Sequence, residues 1–445
     1  MAGKWPYKRV EEIALKIAMG PFGSSIKVET FISAGIPIIS GQHLREAELT
    51  DSEFNFITEE HADALKNANV QRGDVIFTHA GNIGQVAFIP NDSEYQRYII
   101  SQRQFYLRCD TSLILPEFIT YYFKSPEGQH KLLANANQVG VPSIARPSSY
   151  LKTIEVPTPS IEEQQIVVRN IKALDAKIRT NRHINQTLEA MAQAIFKSWF
   201  VDFDPVKAKI AAIKQGKDPL RAAMRAISGK TDAELDHMPR EQYDQLVATA
   251  ELFPDAMEKS ELGEIPKGWE VKRAGDLIEL AYGKALKSTN RKQGSVPVYG
   301  SGGVTGYHNE ALVPHGAIIV GRKGTVGSLY WEDEPFFPID TTFYVRPKAV
   351  PMAYCFYFMK TLGLDKMNTD AAVPGLNREN VYRLELVKSS TSVLNAFDRL
   401  VSEIREAMRA NETASQSLAE LRDTLLPKLF SGDISVETLM DEVAQ

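Results

Sequence analysis

The sequence predicts an α+β protein built by tandem duplication: a globular unit, a long helix, a second globular unit and a second long helix. Three observations predict this. Motifs recur in the same order in the two halves. Short runs of branched and aromatic residues, bounded by turn formers, fill most of each half. Two stretches of about 40 residues then carry apolar side chains at helical spacing.

The recurrence is ordered. Trp5-x-x-Lys8-Arg9 returns as Trp269-x-x-Lys272-Arg273, an offset of 264. Gly81-x-x-Gly84-x-Val86 pairs with Gly321-x-x-Gly324-x-Val326 at 240, and Phe105-Tyr106-x-Arg108 with Phe343-Tyr344-x-Arg346 at 238. VPSIAR (141–146) returns as VPGLNR (373–378) at 232, each with a tyrosine four residues past its arginine, Tyr150 and Tyr382. Offsets that only fall are what two diverged copies give when the second has shorter loops between fixed landmarks. Two large copies are not a solenoid of short repeats.

In the first copy IPIIS (36–40), DVIFTHA (74–80), QVAFIP (85–90) and RQFYLRC (103–109) read as strands; in the second, VPVYG (296–300), AIIVG (317–321), GSLYW (327–331) and TTFYVRP (341–347) do. An aromatic stretch follows in each, FITYYFK (118–124) and YCFYFMK (354–360), read as a short buried helix. The pattern then changes. Ser160 stands three residues before Glu163, a capping-box spacing, and no proline or glycine intervenes from there to Phe200. Apolar residues recur at Ile171, Leu174, Ile178, Leu188 and Ile195, and in the second copy at Phe397, Ile404, Leu418, Leu421 and Leu425. A period near 3.5 residues suggests a coiled-coil seam, with Asn181 and Asn411 at matching places on it, where a polar pair costs stability and fixes register. Each helix would be ~60 Å long at 1.5 Å per residue. The same spacing also fits two amphipathic helices packed on their own domains. The boundaries read as globular units over 1–160 and 261–390, helices over 161–200 and 391–432, a charged helical connector over 201–260 and a tail over 433–445.

Bulk properties bound the function. Of 445 residues, 43% are hydrophobic and 24% charged, ordinary for a folded chain of two or three domains. No apolar run approaches the ~20 residues of a membrane span, and MAGKWPYKRV has no apolar signal core, so cytoplasm is the expected location and no membrane partner is expected. Cys109 and Cys355 are too few for a disulfide framework or a zinc site. A formal charge of −5 argues against an autonomous nucleic-acid binder, while leaving room for local basic loops or for a partner that supplies the charge.

A search for catalysis returns nothing. The phosphate-binding GxxxxGK pattern is missing, and YGSGGVTGY (299–307) places Thr305 where a dinucleotide fingerprint needs its third glycine. HExxH, GxSxG and the N/D-P-P-Y/F tetrapeptides of amino-methyltransferases are missing too. Two similar domains without chemistry read as a reader or a scaffold. Polar, glycine-rich loops in both copies are the candidate contact surfaces, because glycine lets a backbone approach closely and Arg, Lys, Gln, Asn, Ser and His reach base edges and phosphates. In copy one these hold Ser24, Ser25, Lys27, Gln42, His43, Arg45, His79, Asn82, Gln102, Arg103, Gln104 and Arg146. In copy two they hold Lys284, Lys287, Arg291, Lys292, Ser301, Tyr307, His308, Asn309, Arg322, Lys323, Thr341, Thr342 and Arg378. Each taken singly fits a solvated turn as well.

GDVIFTHAGNIGQVAFIP (73–90), VPTPSIEEQQIV (156–167), SWFVDFDPVKAK (198–209), SELGEIPKGWE (260–270), IVGRKGTVGSLYW (319–331) and PIDTTFYV (338–345) together resemble the specificity (S) subunits of type I restriction-modification enzymes, over nearly the whole chain. The resemblance implies two target recognition domains, each reading half of an asymmetric bipartite site in double-stranded DNA. It implies that the helices pack as an antiparallel coiled coil that sets the gap between half-sites. It further implies docking of modification (M) methyltransferase subunits, two in number, and of restriction (R) subunits. S-adenosylmethionine would then sit on the M subunits and ATP and magnesium on the R subunits, with no cofactor or metal on this chain. ELVKSSTSVLNAF (385–397) departs from the PTPSIEEQQIV turn, so the second helix start is less defined by the resemblance. The rivals are a methyltransferase or nuclease in its own right, a coiled-coil interaction scaffold, and an S-like subunit of another defence system.

Overall fold

Two four-stranded sheets form where the first copy carries its branched and aromatic runs. The computed structural model describes residues 5–23, 25–51, 53–137, 140–367, 375–431 and 433–434. One sheet is antiparallel, in the order Ala14–Met19, Gln104–Cys109, Asp74–Thr78, Val86–Phe88. The other runs Asn55–Ile57, Ile36–Ile39, Arg97–Ile100, Asn69–Gln71, and its middle pair is parallel. The strands of the first sheet bury Val75, Phe77, Phe105 and Leu107 against the helix Pro116–Lys124, whose Phe118, Tyr121, Tyr122 and Phe123 are buried in turn. Removing that much aromatic surface from water is the main source of this unit's stability.

The second copy repeats the topology. Ile278–Tyr282, Thr342–Pro347, Ala317–Gly321 and Leu329–Glu332 form the antiparallel sheet, and Val296–Gly300 lies between Gly303–His308 and the parallel Phe337–Pro338. The aromatic helix is Met352–Thr361, buried over Ala353–Met359. A two-stranded clasp closes each copy: Tyr7–Arg9 with Glu155–Pro157, and Glu270–Arg273 with Glu385–Lys388.

Structure corrects one pairing of the duplicated motifs. Gly81 and Gly84 have φ of 81° and 84°, and their counterparts by conformation are Gly324 and Gly327, at 85° and 73°. The hydrogen bonds agree: Ile83 donates to Gly81 O at 2.9 Å and Val326 to Gly324 O at 3.0 Å, while Gly84 donates to Thr78 O at 3.2 Å and Gly327 to Gly321 O at 2.8 Å. The offset here is 243, not 240, which still falls between 264 and 238. The left-handed turn, not the spacing to the next valine, is what both copies keep.

Two helices far exceed the rest, Ile161–Phe200 and Thr391–Ser431. Ser160 and Glu163 make the reciprocal cap: Glu163 N–H donates to Ser160 Oγ at 3.3 Å and Ser160 N–H to Glu163 Oε2 at 2.9 Å. The second helix starts without that box; Ser390 Oγ accepts from Val393 N–H at 3.4 Å instead. The chain divides into two compact units, and the divisions fall inside these helices. The first unit holds the chain through Arg182 together with the segment from Glu412, and the second holds His183–Asn411.

In the first unit Ile171 and Ile178 are buried, Leu174 and Leu425 flank the core, and Leu418 is half-buried. Leu421 is 47% exposed, against the expected seam. The inward place is taken by the next residue, Arg422, whose Nη1 lies 2.8 Å from Asp175 Oδ1. Asn181 is buried and donates to Ser415 Oγ at 3.2 Å. In the second unit Phe397 and Ile404 join the core, with Leu188 and Ile195 packed against it. There Asn411 Nδ2 donates to Asn185 Oδ1 at 2.9 Å, and Asn185 Nδ2 to Met408 O at 2.9 Å. The partners run in opposite senses along the two helix segments within each unit.

The connector forms Asp204–Lys214, Pro219–Ser228, Asp232–Asp236 and Arg240–Glu251, with a small core of Ala223, Met224, Leu235 and Ala250. Among the described residues no helix is long and apolar enough to cross a membrane, and no cluster of His, Cys, Asp and Glu could hold a metal ion.

Candidate nucleic-acid interface

The repeated VP phrase docks on the repeated glycine turn. In the first unit Ile144 N–H donates to His79 O at 2.8 Å and Gly81 N–H to Pro142 O at 3.0 Å. In the second, Leu376 N–H donates to Arg322 O at 2.9 Å, and Lys323 bridges Gly375. The next strand supports the turn from the other side, through His79 N–H to Arg103 O and Arg322 N–H to Thr341 O, each 2.9 Å. Three segments remote in sequence are thereby joined at the turn in each unit, and an open cleft adjoins the turn, on the side of the phrase in the second unit and on the side of the 40–45 loop in the first. Val373 and Pro374 of the second phrase lie outside the described residues.

In the first unit the cleft gathers Gln42, Arg45, Asn82, Gln85 and Arg103. All but Gln85 are exposed. An added Cβ on Gly81 would come within 3.2 Å of Arg103 Nη1, so the glycine leaves the guanidinium its place. His79 is half-buried with Nε2 3.2 Å from Gln102 O, and burial holds its pKa below the ordinary histidine value. Gln102 is exposed beside it. Arg146 is exposed, in the left-handed region at φ 45°, at the start of the helix Pro147–Thr153.

In the second unit the cleft is lined by Tyr282, Arg322, Lys323, Phe343, Arg378 and Glu379, with Leu376 and Asn377 at its edge. The Arg322 guanidinium lies over the rings of Tyr282 and Phe343, 5.2 and 5.8 Å from their centroids, and Arg378 lies over Tyr282 at 5.1 Å. Arg378 Nε is 3.4 Å from Glu379 Oε1. Half-buried Thr341 supports the turn through its carbonyl.

Four expected contact residues are buried and serve the loops instead. His43 is 1% exposed, and its Nδ1 accepts from Ser40 N–H at 2.9 Å. Gln104 is 0% exposed and accepts from Ser101 N–H at 2.9 Å. Thr342, also buried, donates to Ile339 O at 2.8 Å. His308 Nδ1 accepts from Lys292 N–H at 3.0 Å. Loop backbone away from a ladder needs such partners, and short polar side chains supply them.

Others, exposed or half-buried, lie outside the two clefts. Ser25 donates to Phe22 O at 2.7 Å, and Lys27 lies beside it on the surface. Ser24 lies outside the described residues. Arg291 staples its own loop through Thr305 O at 2.7 Å. Half-buried Ser301 accepts from Thr325 N–H at 3.3 Å, and Lys284, Lys287, Lys292, Tyr307 and Asn309 are exposed. Sequence reasoning held Tyr282 and Gln85 only as ends of the candidate loops 282–294 and 78–85, and missed Phe343 and Glu379 as cleft residues. The only signal for Tyr282 was an aromatic residue at a strand end before a glycine.

Comparison with known proteins agrees with this architecture. Residues 4–190 and 266–386 match the family described as Type I restriction modification DNA specificity domain. The chain is 30% identical over 409 residues to the HindI type I restriction enzyme specificity subunit of Haemophilus influenzae, covering 82% of this chain and 87% of that one. It is 22% identical to the MjaIX specificity subunit of Methanocaldococcus jannaschii, over 98% of this chain and 94% of that one. The crystal structure of the S subunit of a type I restriction-modification system from M. genitalium superposes with a TM-score of 0.50 over 96% of both chains at 16% identity, a likeness of fold.

Proposed function

This chain belongs to the family of type I restriction-modification DNA specificity subunits, and from that premise we propose that its two clefts each read one half of an asymmetric bipartite site in double-stranded DNA. The chain is the recognition subunit of such a complex and not its catalyst. Partner subunits act on the DNA that it selects: two modification subunits with S-adenosylmethionine, and restriction subunits with ATP and magnesium. The single observation that carries the reading is the twice-built junction beside an open cleft, in which the VP phrase, the glycine turn and the following strand meet by the same hydrogen bonds. The frame is shared while the cleft side chains differ, which is what two readers of different half-sites require.

The long helices serve as the ruler. They pack as an antiparallel coiled coil that sets the distance between half-sites and presents the docking surface for the modification subunits. The opposite-running partners within each unit support this, Asp175 with Arg422 and Asn181 with Ser415 in one, Asn185 with Asn411 and Phe196 with Phe397 in the other. Partners that carry the chemistry and much of the phosphate grip also account for a net charge of −5 on a DNA-reading chain.

The test is a methylation map. The chain is co-expressed with its modification subunit in a host that lacks DNA methylation, and the genome is read by long-read sequencing. A bipartite motif of fixed gap, with methyladenine in both halves, is the expected result. A stable complex that leaves the genome unmethylated would sink the assignment.

A further inference from the structure

We infer that Arg322, which shares the Tyr282 ring with Arg378, determines specificity by reading a guanine in the half-site of the second unit; this deepens the reader assignment above and rests on it. Arg322 stands apart from the other ring-stacked arginines of its unit. Arg405 lies over Trp331 and bonds Asp333 at 2.6 Å, Arg346 lies over Tyr344 with Glu279 at 3.5 Å, and Arg378 lies over Tyr282 with Glu379 at 3.4 Å. Arg322 has no acid partner among the described residues, and its Nε is buried without a hydrogen-bond acceptor. A buried donor left unmet is costly unless a ligand meets it. Tyr282 and Phe343, whose rings stand 60° apart, flank the guanidinium carbon at 5.2 and 5.8 Å, so the position of its N–H fork is confined before anything binds.

The surroundings favour a base edge over a phosphate. Glu379 lines the same cleft and offsets Arg378 at 3.4 Å, so the cleft presents an acceptor beside its donors. A base pair in the major groove shows acceptors beside donors and tolerates that neighbour. Guanine alone offers two adjacent acceptors, O6 and N7, to which an arginine fork is complementary. The first unit does not repeat the device. By the offsets above, His79 stands in the place of Arg322 and Ala80 in that of Lys323, and Met19, paired with Phe105, stands where Tyr282 pairs with Phe343. Its open cleft lies instead on the other side of the turn, beside the 40–45 loop, and is rich in side-chain amides, Gln42, Asn82 and Gln85. Guanine reading by a stacked arginine is therefore a property of the second unit alone.

The test uses the full chain in complex with its modification subunit and duplexes carrying the mapped motif. The half read by the second unit is the one whose base preferences are unmoved by Gln42→Ala with Asn82→Ala. Each guanine of that half is replaced in turn by 7-deazaguanine, which lacks the N7 acceptor. The parent complex is expected to lose roughly tenfold or more in affinity at one such position, the scale of a lost bidentate base contact. Arg322→Lys and Arg322→Ala are expected to bind the motif at least tenfold more weakly and to be indifferent to that replacement, with the other half's preferences intact. Arg322→Lys keeps the charge and the stem, so an unchanged melting temperature separates lost reading from lost folding. An equal loss on every duplex with a shallower salt dependence would make Arg322 a phosphate contact and overturn the inference. So would unchanged affinity, or a half-site without guanine, and in both cases the reader assignment stands. A map without any bipartite motif overturns both.

Discussion

Arg422 reaches Asp175 with an Nη1–Oδ1 distance of 2.8 Å, and the other oxygen of that carboxylate accepts from the Tyr121 hydroxyl at 3.0 Å. Asp175 is 9% exposed at its side chain and Arg422 25%, so the pair is largely withdrawn from water. Burial, with Asp175 beside it, pushes the Tyr121 hydroxyl well above the ordinary tyrosine range, which keeps it a donor. Asp175→Ala strands both a guanidinium and a phenol and should destabilise the first unit by about 3 kcal/mol. Asp175→Leu with Arg422→Leu and Tyr121→Phe removes every orphan and should recover most of that loss. Thermal melting decides it; Asp175→Ala melting with the parent would show the pair to be incidental.

Acid should loosen the first unit before the second. Burial lowers the pKa of His43 and of His79, and His43 Nδ1 already accepts a backbone N–H, so a proton there has no room. The sign follows from linkage. The unfolded chain takes up these protons first, near pH 6.5, so the stabilisation is present above that pH and is lost as pH falls through the lower folded values. Hydrogen exchange between pH 7.5 and 5.5 should show protection falling around 40–46 and 78–85. Replacing His43 with Asn, which keeps an acceptor near Ser40, should flatten the fall there, and an unchanged profile would point to another group.

Gly20 and Gly283 are among the glycines required by space and not by dihedral. A Cβ on Gly20 would lie 2.1 Å from Ser101 O, and one on Gly283 2.2 Å from Ile339 O, both backbone atoms. Gly20→Ala and Gly283→Ala should each cost about 2 kcal/mol as the strand beside the cleft is pushed away. Gly302→Ala meets only Thr325 Oγ1 at 3.8 Å and should stay within about 0.5 kcal/mol of the parent. Equal melting temperatures for all three would contradict this packing.

Polar seam residues should govern spacing more than stability. Asn185→Leu with Asn411→Leu removes an amide pair from the helix seam of the second unit. Helix content by circular dichroism should be unchanged and stability the same or about 1 kcal/mol higher. The methylation map should then show sites with more than one gap length. A single gap identical to the parent's would mean these asparagines do not hold register; Asn181→Leu with Asn411→Leu tests the corresponding pair of sequence positions.

The long helices and strands were legible because their signals are local. A cap at Ser160, periodic apolar residues and branched runs between glycines each lie within one window. The tandem plan was legible from four ordered motifs. The cleft was legible only as a set of loops. Tyr282, Arg322 and Arg378 are scattered over nearly 100 positions and meet only once the sheet is built, so no window contains the stack. Burial was equally hidden: a loop histidine such as His43 looks like a contact in sequence and proves to be a backbone acceptor. The seam misplaced Leu421 because a strict 3.5-residue step cannot anticipate that Asp175 draws the neighbouring arginine inward.

The first unit is closed by residues from both extremes of the described chain. Phe430 packs on Trp5, Phe118 and Tyr122, with ring centroids 6.3, 5.5 and 5.3 Å apart, and Leu426 and Leu429 share the same core. A ribosome therefore delivers the two readers out of order. The second unit is one continuous segment, His183–Asn411, and has all its parts while the first still waits for Leu426 to Phe430. A stop codon between 412 and 425 would spare the reader encoded later and cripple the one encoded first.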